Sequence, residues 1–225
     1  MKIVIVAATD NEIALLRQKI DSSFISDRLD INIDLKITGV GMLASCFSIA
    51  ELIFTRKPDL IIQAGIAGTF DSKVTLGSVF AVENEYIGDM GVNESGKFKD
   101  LFDLQLLQTN DFPFSDSKLK NININKWNLT NLQIVDAITV NEVTTAPERI
   151  LQLQEKYHPA LESMEGASLH YCCIKTGTAC IQIRSVSNIV GERDKSKWAM
   201  KDALENLSQK VLDYLEKLTH LPQTL

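Results

Sequence analysis

The chain has 225 residues, of which 45% are hydrophobic, and it carries a formal net charge of −6 with a pI near 5.1. A chain of this length buries about 70% of its unfolded surface as one domain, so we expect a single domain over residues 1–225. The acidic balance excludes a protein that binds the phosphate backbone of nucleic acids, because such proteins need clustered Lys and Arg.

The four cysteines show no Cys-x-x-Cys spacing, and the apolar run at residues 3–8 is too short for a signal peptide. No stretch approaches the roughly 20 apolar residues that a membrane span requires. We therefore expect a soluble protein in a reducing cytoplasm, without membrane contact.

Short β-branched runs alternate with helical patterns along the chain, which is typical of a sheet with helices on both faces. The predicted strands are Lys2–Ala8, Ile33–Thr38, Leu60–Ala64, Ser78–Glu83, Leu132–Ala137, Ala160–Ser163 and Ala179–Val186. The predicted helices are Glu12–Ile20, Met42–Thr55, Pro147–Tyr157, Gly166–Thr176 and Lys197–Leu218. Runs such as residues 3–8 are apolar throughout, so the sheet is expected to be covered on both sides.

The segment between Gly88 and Asn131 breaks this alternation with Asn, Asp, Ser and Lys and with scattered aromatic residues. Loops of this length are usually functional or mobile, and the cluster Phe112–Phe114 would be costly to leave in water. We interpret the segment as a pocket wall or a subunit contact.

Polar residues follow several of the predicted strands. Ligands of open α/β sheets bind beyond the carboxyl ends of the strands, so Glu12, Gly65–Gly68, Glu165 and Asn188 are expected to converge on one cleft. The Gly65–Gly68 turn would present backbone N–H groups to a ligand oxygen. It lacks the Lys-Ser/Thr ending of a P-loop, and no G-x-G-x-x-G follows the first strand, so nucleoside triphosphates and dinucleotides have little support.

The order and spacing of several motifs resemble the nucleoside phosphorylase and nucleosidase superfamily. These motifs are Met1–Ala8, an acidic cluster ending in Glu12, Ala64–Gly68, Leu76–Val79, Met164–Ala167 and Arg184–Asn188. The resemblance implies an α/β fold with a single domain of three layers, in which helices flank a central mixed, mostly parallel twisted sheet. Gly88–Val92 and Ser187–Asp194 with Trp198 look most like the futalosine hydrolases, which split futalosine into hypoxanthine and dehypoxanthine futalosine in the menaquinone pathway.

Glu12 is the general base that this resemblance implies, since it matches the acidic residue that holds the attacking water in the nucleosidases. Cleavage of a purine N-glycoside needs such a base. The residues alone also allow a simpler role, because Thr9-Asp10-Asn11-Glu12 before an apolar run is a capping box whose Glu accepts a backbone N–H.

The resemblance assigns the sugar to Met164 and Glu165. A carboxylate accepts hydrogen bonds from the ribose 2′ and 3′ hydroxyls, and a Met side chain offers an adaptable apolar floor. The alternative for Glu165 is a structural carboxylate, because the helix dipole favours negative charge in a first turn.

Asn188 discriminates best between related activities. Methylthioadenosine/S-adenosylhomocysteine nucleosidases carry Asp there to supply a proton to purine N7, whereas an amide cannot give up a proton. Its NH₂ group can instead donate hydrogen bonds to N7 and O6 of a 6-oxopurine, which points to hypoxanthine as the leaving base. Ser187 is expected to fix the loop or to touch the base. A strand-end Asn bonded to local backbone is the alternative.

The remaining residues predicted to bind substrate are Gly65, Ile66, Ile138, Thr139 and Arg184. By resemblance, Ile138 and Thr139 match the segment that contacts the base, and Ile66 lies where relatives contact water or sugar. A cation inside an apolar strand needs a carboxylate partner. For Arg184 this partner is either Glu12 or a purely structural one.

The first hypothesis is therefore a hydrolase that releases hypoxanthine from futalosine, with water as the second substrate. An adenine-releasing nucleosidase, a phosphate-dependent phosphorylase and a nucleoside-binding sensor are the alternatives. No metal or organic cofactor is implied, and the resemblance implies a homodimer or higher homo-oligomer. The benzoate tail of futalosine requires a cation or an amide donor, for which Arg193, Lys195, Lys197 and the segment 88–131 are candidates.

Overall fold

A computed structural model describes residues 1–23 and 31–220. The strands in this part of the chain are β1 (Lys2–Ala7), β2 (Asn32–Ile37), β3 (Leu60–Thr69), β4 (Val79–Ile87), β5 (Gly91–Glu94), β6 (Lys97–Asp100), β7 (Leu119–Lys120), β8 (Gln133–Thr139), β9 (Leu161–Ser163) and β10 (Cys180–Ile189). The helices are α1 (Asp10–Asp21), α2 (Met42–Arg56), α3 (Ile124–Trp127), α4 (Pro147–Tyr157), α5 (Gly166–Thr176) and α6 (Met200–Thr219). A 3-10 turn at Lys195–Lys197 precedes α6.

Eight of the described strands form one mixed sheet, and five of them close into a ring. The order around the ring is β3, β10, β4, β8 and β9, with β9 pairing back onto β3. β1 and β2 extend the sheet from β3 in parallel, and β7 adds to β4. The predicted fold class, a mixed and mostly parallel sheet flanked by helices, is confirmed, whereas the closure of the ring was not predicted.

The strand β1 is apolar on both faces because helices cover the sheet on both sides. Ile3 and Ile5 pack into a core cluster with α1 and α6, and the alternate residues Val4 and Val6 pack into a second cluster with α2 and α5. Because successive side chains of a strand point to opposite faces, the two helix layers bury every position from Ile3 to Ala7. The prediction of a sheet covered on both sides is confirmed.

Two strands run further than the sequence predicted. β3 continues through Gly65–Gly68 to Thr69 and stays paired with β10, so this segment is a strand and not a turn that offers its N–H groups to a ligand. β8 continues to Thr139, so Ile138 and Thr139 lie inside the strand rather than after it. In both cases the ladder with a neighbouring strand satisfies backbone groups that an isolated run would expose to water.

The segment between Gly88 and Asn131 contains regular structure that its composition did not predict. The strands β5 and β6 form a two-stranded hairpin, β7 pairs with β4, and α3 is a single turn. Phe114 packs edge-on against Phe102 and Tyr171, whereas Phe112 remains 65% exposed. None of the helices in residues 1–23 and 31–220 is long and apolar enough to cross a bilayer.

Candidate active site

A cavity of about 690 Å³ lies where the carboxyl ends of β1, β3 and β10 meet. Its walls come mainly from the start of α1, the second half of β3, the junction of β9 with α5, and the chain from the end of β10 into α6. Of the ten residues predicted for the site, the lining includes Glu12, Ile66, Met164, Glu165, Ser187 and Asn188. It does not include Gly65, Ile138, Thr139 and Arg184.

Glu12 has the capping role that the sequence allowed, and it also lines the cavity. Its Oε2 accepts hydrogen bonds from the backbone N–H and the hydroxyl of Thr9, both at 3.0 Å, which caps α1. Its Oε1 accepts from the backbone N–H of Ile66 at 3.1 Å. These contacts fix a carboxylate that is 8% exposed and that faces the cavity. The cap therefore positions the group that a general base would use.

Glu165 lies where two helices begin. It is the N-cap residue of α5, and its Oε1 accepts a hydrogen bond at 3.0 Å from the backbone N–H of Gly41, the N-cap residue of α2. Helix N-termini favour negative charge. Burial raises the pKa of Glu165 nonetheless, against the opposing effects of Arg184 and the Gly41 N–H. The carboxylate is thus held in place at some cost to its ionised form.

Arg184 is 1% exposed and supports the site from behind the cavity wall. Its Nη1 lies 3.8 Å from Glu165 Oε2, and its Nη2 donates to Gln63 Oε1 at 3.0 Å. The carboxylate partner is therefore Glu165, and no ion pair within the described residues joins Arg184 to Glu12. Gly65 makes room for this guanidinium, because a Cβ at that position would overlap Arg184 Nη1 and lie 3.1 Å from Glu12 Oε1.

A β-bulge near the end of β10 determines how Ser187 and Asn188 face the cavity. The register with β3 shifts between Val186 and Asn188, so that Ser187 is the extra residue and Asn188 pairs with Gly68. Bulges beside sites re-aim side chains in this way. The Ser187 hydroxyl lies 2.7 Å from Asn188 Oδ1, and Asn188 Nδ2 donates to the carbonyl of Ile189 at 2.9 Å. One of the two amide N–H groups therefore stays available to a ligand.

Ile138 and Thr139 are both fully buried and lie outside the cavity. Ile138 belongs to a core cluster with Leu153 and Tyr157. The Thr139 hydroxyl donates to Glu85 Oε2 at 2.9 Å and accepts from the backbone N–H of Ala167 at 2.8 Å. These positions were expected, by resemblance, to contact a base just after the end of β8, which was predicted at Ala137. The residue that reaches the cavity from this part of the chain is Val143, further along the loop.

Glu162 was not among the predicted site residues, yet it lines the cavity from β9. Its Oε1 accepts a hydrogen bond from the backbone N–H of Thr144 at 3.1 Å. Its Oε2 is buried and has no hydrogen-bond partner within residues 1–23 and 31–220. Burial raises the pKa of this carboxyl. A Glu between Leu161 and Ser163 in a short buried strand was the signal that a polar contact had to exist.

A polar cluster lies beneath the start of α5. Glu85 accepts hydrogen bonds from Gln182 Nε2 at 2.8 Å and from the Thr139 hydroxyl at 2.9 Å. Burial raises the pKa of Glu85 to about 7. His170 is also fully buried, and desolvation lowers its pKa to about 4. The cluster supports the backbone that carries Glu165, because Thr139 also accepts from Ala167 in the first turn of α5.

The cavity extends toward the start of α6. Trp198, Met200 and Leu204 form an apolar surface there, and the Arg193 guanidinium carbon lies 5.6 Å from the centre of the Trp198 ring. Of the three cations considered for a substrate tail, Arg193 lines the cavity, whereas Lys195 and Lys197 do not. No residue between Gly88 and Asn131 lines it either, so the prediction of a pocket wall in that segment is wrong for this cavity.

Residues 1–23 and 31–220 contain no group of three or more His, Cys, Asp and Glu residues arranged to hold a metal ion.

Several curated proteins are similar to this chain. A futalosine hydrolase of Thermus thermophilus is 27% identical over 177 residues, which cover 77% of each protein. A 5′-methylthioadenosine/S-adenosylhomocysteine nucleosidase of Maridesulfovibrio salexigens is 25% identical over 238 residues, which cover 97% of this chain and 100% of the relative. The relatives thus carry two different activity names at comparable identity.

Solved structures share the fold. The native futalosine hydrolase of Helicobacter pylori superposes with a TM-score of 0.77 at 17% identity and covers 97% of both chains. A mutant 5′-methylthioadenosine/S-adenosylhomocysteine nucleosidase of the same organism was solved with 5′-methylthioadenosine in the active site. It superposes with a TM-score of 0.78 at 15% identity, and the match covers 96% of this chain and 98% of the other. A family model described as the phosphorylase superfamily matches residues 2–218. The chain therefore belongs to the phosphorylase superfamily.

Proposed function

We propose that this protein is a purine nucleosidase that hydrolyses the N-glycosidic bond of futalosine, releasing hypoxanthine and leaving dehypoxanthine futalosine. The observation that carries the proposal is that Glu12, Glu165 and Asn188 line one cavity. These three groups supply what the reaction needs, namely a base for water, an acceptor for the sugar diol and a donor for the leaving base.

Glu165 would accept hydrogen bonds from the 2′ and 3′ hydroxyls of the ribose. Its contact with the Gly41 N–H at 3.0 Å and its approach to Arg184 at 3.8 Å leave lone pairs on both oxygens for the hydroxyl donors. Met164, the neighbouring residue in the lining, provides an apolar surface for the sugar ring. An acceptor held this way fixes the orientation of the sugar before the bond breaks.

Glu12 would accept a proton from the water that attacks the sugar. Three donors, two from Thr9 and one from Ile66, hold its carboxylate at the cavity wall. As the glycosidic bond lengthens, positive charge develops on the ribose, and the carboxylates of Glu12 and Glu165 both favour that charge. The same two charges oppose a second anionic substrate, which argues for water over phosphate.

Asn188 would stabilise the negative charge that develops on the departing purine. Its acceptor oxygen is engaged by the Ser187 hydroxyl at 2.7 Å, which turns the NH₂ end of the amide toward donor contacts. The remaining N–H of the amide can donate a hydrogen bond to N7 or O6 of hypoxanthine without transferring a proton. This contact favours a 6-oxopurine leaving group over adenine.

Arg193 and Trp198 favour a substrate with an anionic aromatic tail. Arg193 has no ion-pair partner among the described residues and lines the end of the cavity that is away from β9. A benzoate would stack on the indole ring and pair with the guanidinium. A methylthio substituent would use the apolar surface and leave the cation without a function.

A second function is supported by the relatives themselves. The nucleosidase of Maridesulfovibrio salexigens matches over nearly the whole of both chains, so release of adenine from methylthioadenosine or a related nucleoside is the alternative activity. Asn188 and Arg193 are the two residues that argue against it.

We also propose that the enzyme is a homodimer, in which α2 carries the contact surface. Leu43, Phe47 and Phe54 are 86%, 71% and 71% exposed on this helix. Apolar patches of this kind usually mark interfaces. Val40, which is 56% exposed, lines the cavity just before α2, so such an interface would lie beside the site. Four free cysteines agree with the cytoplasm as its compartment.

The test is an assay of base release. The purified protein is incubated with futalosine, inosine and methylthioadenosine, each with and without inorganic phosphate, and the free base is identified by chromatography. We expect hypoxanthine from futalosine without any need for phosphate. A requirement for phosphate would identify a phosphorylase, adenine release alone would identify the second function, and binding without turnover would identify a sensor.

A further inference from the structure

Three residues of neighbouring strands form a row across the floor of the cavity. Gly68 of β3 pairs with Glu162 of β9 on one side and with Asn188 of β10 on the other. Residues that are paired across strands present their side chains on the same face, and all three residues line the cavity. The carboxyl group of Glu162 and the amide of Asn188 therefore face the same space from opposite sides of a residue that has no side chain.

The width of this row suits a purine. Adjacent strands are separated by about 4.8 Å, so the two outer backbones lie roughly 10 Å apart, which leaves room for a bicyclic base between two polar side chains. The glycine is needed for this, because a Cβ at position 68 would lie 3.0 Å from Val190 Cγ2 and 3.4 Å from Asn188 Nδ2. A larger residue would fill the space and displace the amide.

Glu162 has one oxygen that the protein uses and one that it does not. Oε1 accepts from the Thr144 N–H at 3.1 Å, which anchors the loop that brings Val143 to the cavity. Oε2 makes no hydrogen bond of normal geometry within the described residues, although the residue is only 6% exposed. Burial raises the pKa of this carboxyl, and the Thr144 side chain acts against that rise. A buried carboxylate oxygen without a hydrogen bond is energetically unfavourable, so a donor from the ligand is its expected partner.

We propose that Glu162 is a specificity residue, which accepts a hydrogen bond from N1–H of a 6-oxopurine while Asn188 contacts the N7 and O6 edge of the same ring. This inference rests on the proposed nucleosidase function and adds the recognition of N1–H, on the other side of O6 from N7. Hypoxanthine carries a hydrogen on N1, so it supplies the donor that Oε2 lacks. Adenine presents an unprotonated N1 to the same oxygen, and two acceptors then face each other.

The resulting discrimination has a physical basis in both directions. A site built to hydrogen-bond one group rejects an analogue that lacks it, because the buried polar atom of the site is then left unpaired. The carboxylate thus favours hypoxanthine by pairing with N1–H and disfavours adenine by repelling N1. Asn188, whose oxygen is engaged by the Ser187 hydroxyl, adds a donor at the N7 and O6 edge of the same ring.

The test uses the substitution Glu162→Gln. The new side chain can keep its amide oxygen on the Thr144 N–H and place its NH₂ group where Oε2 was. The hydrogen bond that holds the loop is then preserved, and only the second position changes from an acceptor to a donor. We expect the ratio of kcat/KM for hypoxanthine-bearing to adenine-bearing nucleosides to fall at least about tenfold. Calorimetric binding of free hypoxanthine and free adenine should shift in the same direction, which is a readout that does not need turnover.

The control is Glu155→Gln on the exposed side of α4, where the same chemical change lies outside the cavity. An unchanged base preference in Glu162→Gln, with normal folding by circular dichroism, would overturn the inference and leave Glu162 as a loop anchor. A wild-type protein that cleaves no nucleoside would instead overturn the proposed function. A wild-type enzyme that releases base while Glu162→Gln keeps its preference overturns the inference alone.

Discussion

The proposed sugar side and the proposed base side of the cavity differ in how their polar groups are hydrogen-bonded. On the sugar side, the Glu165 carboxylate has a cation at 3.8 Å and a backbone donor at 3.0 Å, and Glu12 has three donors. On the base side, Asn188 has a spare N–H and Glu162 has an unpaired oxygen. The polar groups of the first region have partners within the protein, whereas those of the second region are expected to find theirs on the ligand.

This difference separates what a nucleoside-cleaving cavity needs in general from what selects a particular base. Groups that must keep one position throughout the reaction are held by the protein itself. Groups that select between similar ligands gain by having their partner supplied by the ligand, because the wrong ligand then leaves them unpaired. The two regions should therefore respond differently to substitution, in rate on one side and in preference on the other.

Among these substitutions, Glu12→Gln should have the largest effect, which is a loss of catalytic rate on the proposed sugar side. An amide cannot accept the proton of water, so kcat should fall about 10²–10⁴-fold, while Kd for the substrate changes little because Glu165 and Asn188 are intact. Single-turnover kinetics and equilibrium binding measure the two quantities separately. Glu155→Gln, at an exposed position on α4, is the matched control. A variant as active as the wild type would remove Glu12 from the mechanism.

Glu85→Gln should change stability in a pH-dependent way and sharpen the account of what supports Glu165. The pKa of Glu85 is raised from 4.5 to about 7, so between these values the folded protein holds a proton that the unfolded chain has released. The stability that this group contributes is present below about pH 4.5 and is lost as the pH rises through about 7. The amide of the variant removes this loss and can donate to Gln182 Oε1, which has no partner among the described residues.

The variant should therefore gain up to about 3 kcal/mol in unfolding free energy relative to the wild type on going from pH 5 to pH 8, at about 1.36 kcal/mol per pKa unit. Urea unfolding at the two pH values measures the difference. His170, whose pKa is lowered to about 4, acts with the opposite sign but is common to both proteins and cancels. Glu155→Gln serves as the exposed control. A difference that is the same at both pH values would show that Glu85 is not protonated in the fold.

Asn188→Asp should have the smallest effect on rate and the clearest effect on the base side. An Asp can pass a proton to N7 of adenine, and its carboxylate repels O6 of hypoxanthine, so the preference for hypoxanthine should fall roughly tenfold. Competition between futalosine and methylthioadenosine in one reaction measures the ratio directly. Asn125→Asp in the exposed turn α3 is the control. A strict preference for hypoxanthine in Asn188→Asp would mean that recognition lies elsewhere in the cavity.

The sequence predicted the layers and the helix after Glu165 well because both depend on local signals. The apolar run of β1 requires cover on both faces, and the Met164–Glu165 motif precedes a helix whose bounds, Gly166–Thr176, the structure reproduces. The closure of the ring depends on β9, a strand of three residues whose pairing with β3 is set by distant parts of the chain. No periodic pattern of apolar residues in the sequence predicts a pairing of this kind.

The base side was predicted only in part, for a related reason. Asn188 belongs to a motif, but its direction depends on a bulge, and Val143 reaches the cavity through a loop anchored by Glu162. Ending β8 two residues early moved the expected base contact to Ile138 and Thr139, which pack into the interior. An error of two residues at a strand end is enough to exchange a lining residue for a core residue.

The closed ring has a mechanical consequence for the site. β3 and β10, which carry Ile66, Gly68, Ser187 and Asn188, each have neighbours along both edges. Their amide hydrogens should exchange with deuterium only through large openings of the fold, whereas those of β2, at the outer margin, should exchange through small ones. β3 and β10 are thus expected to be among the last strands to fray, although the pairing of β10 with β4 ends at Ser185, before the residues that line the cavity.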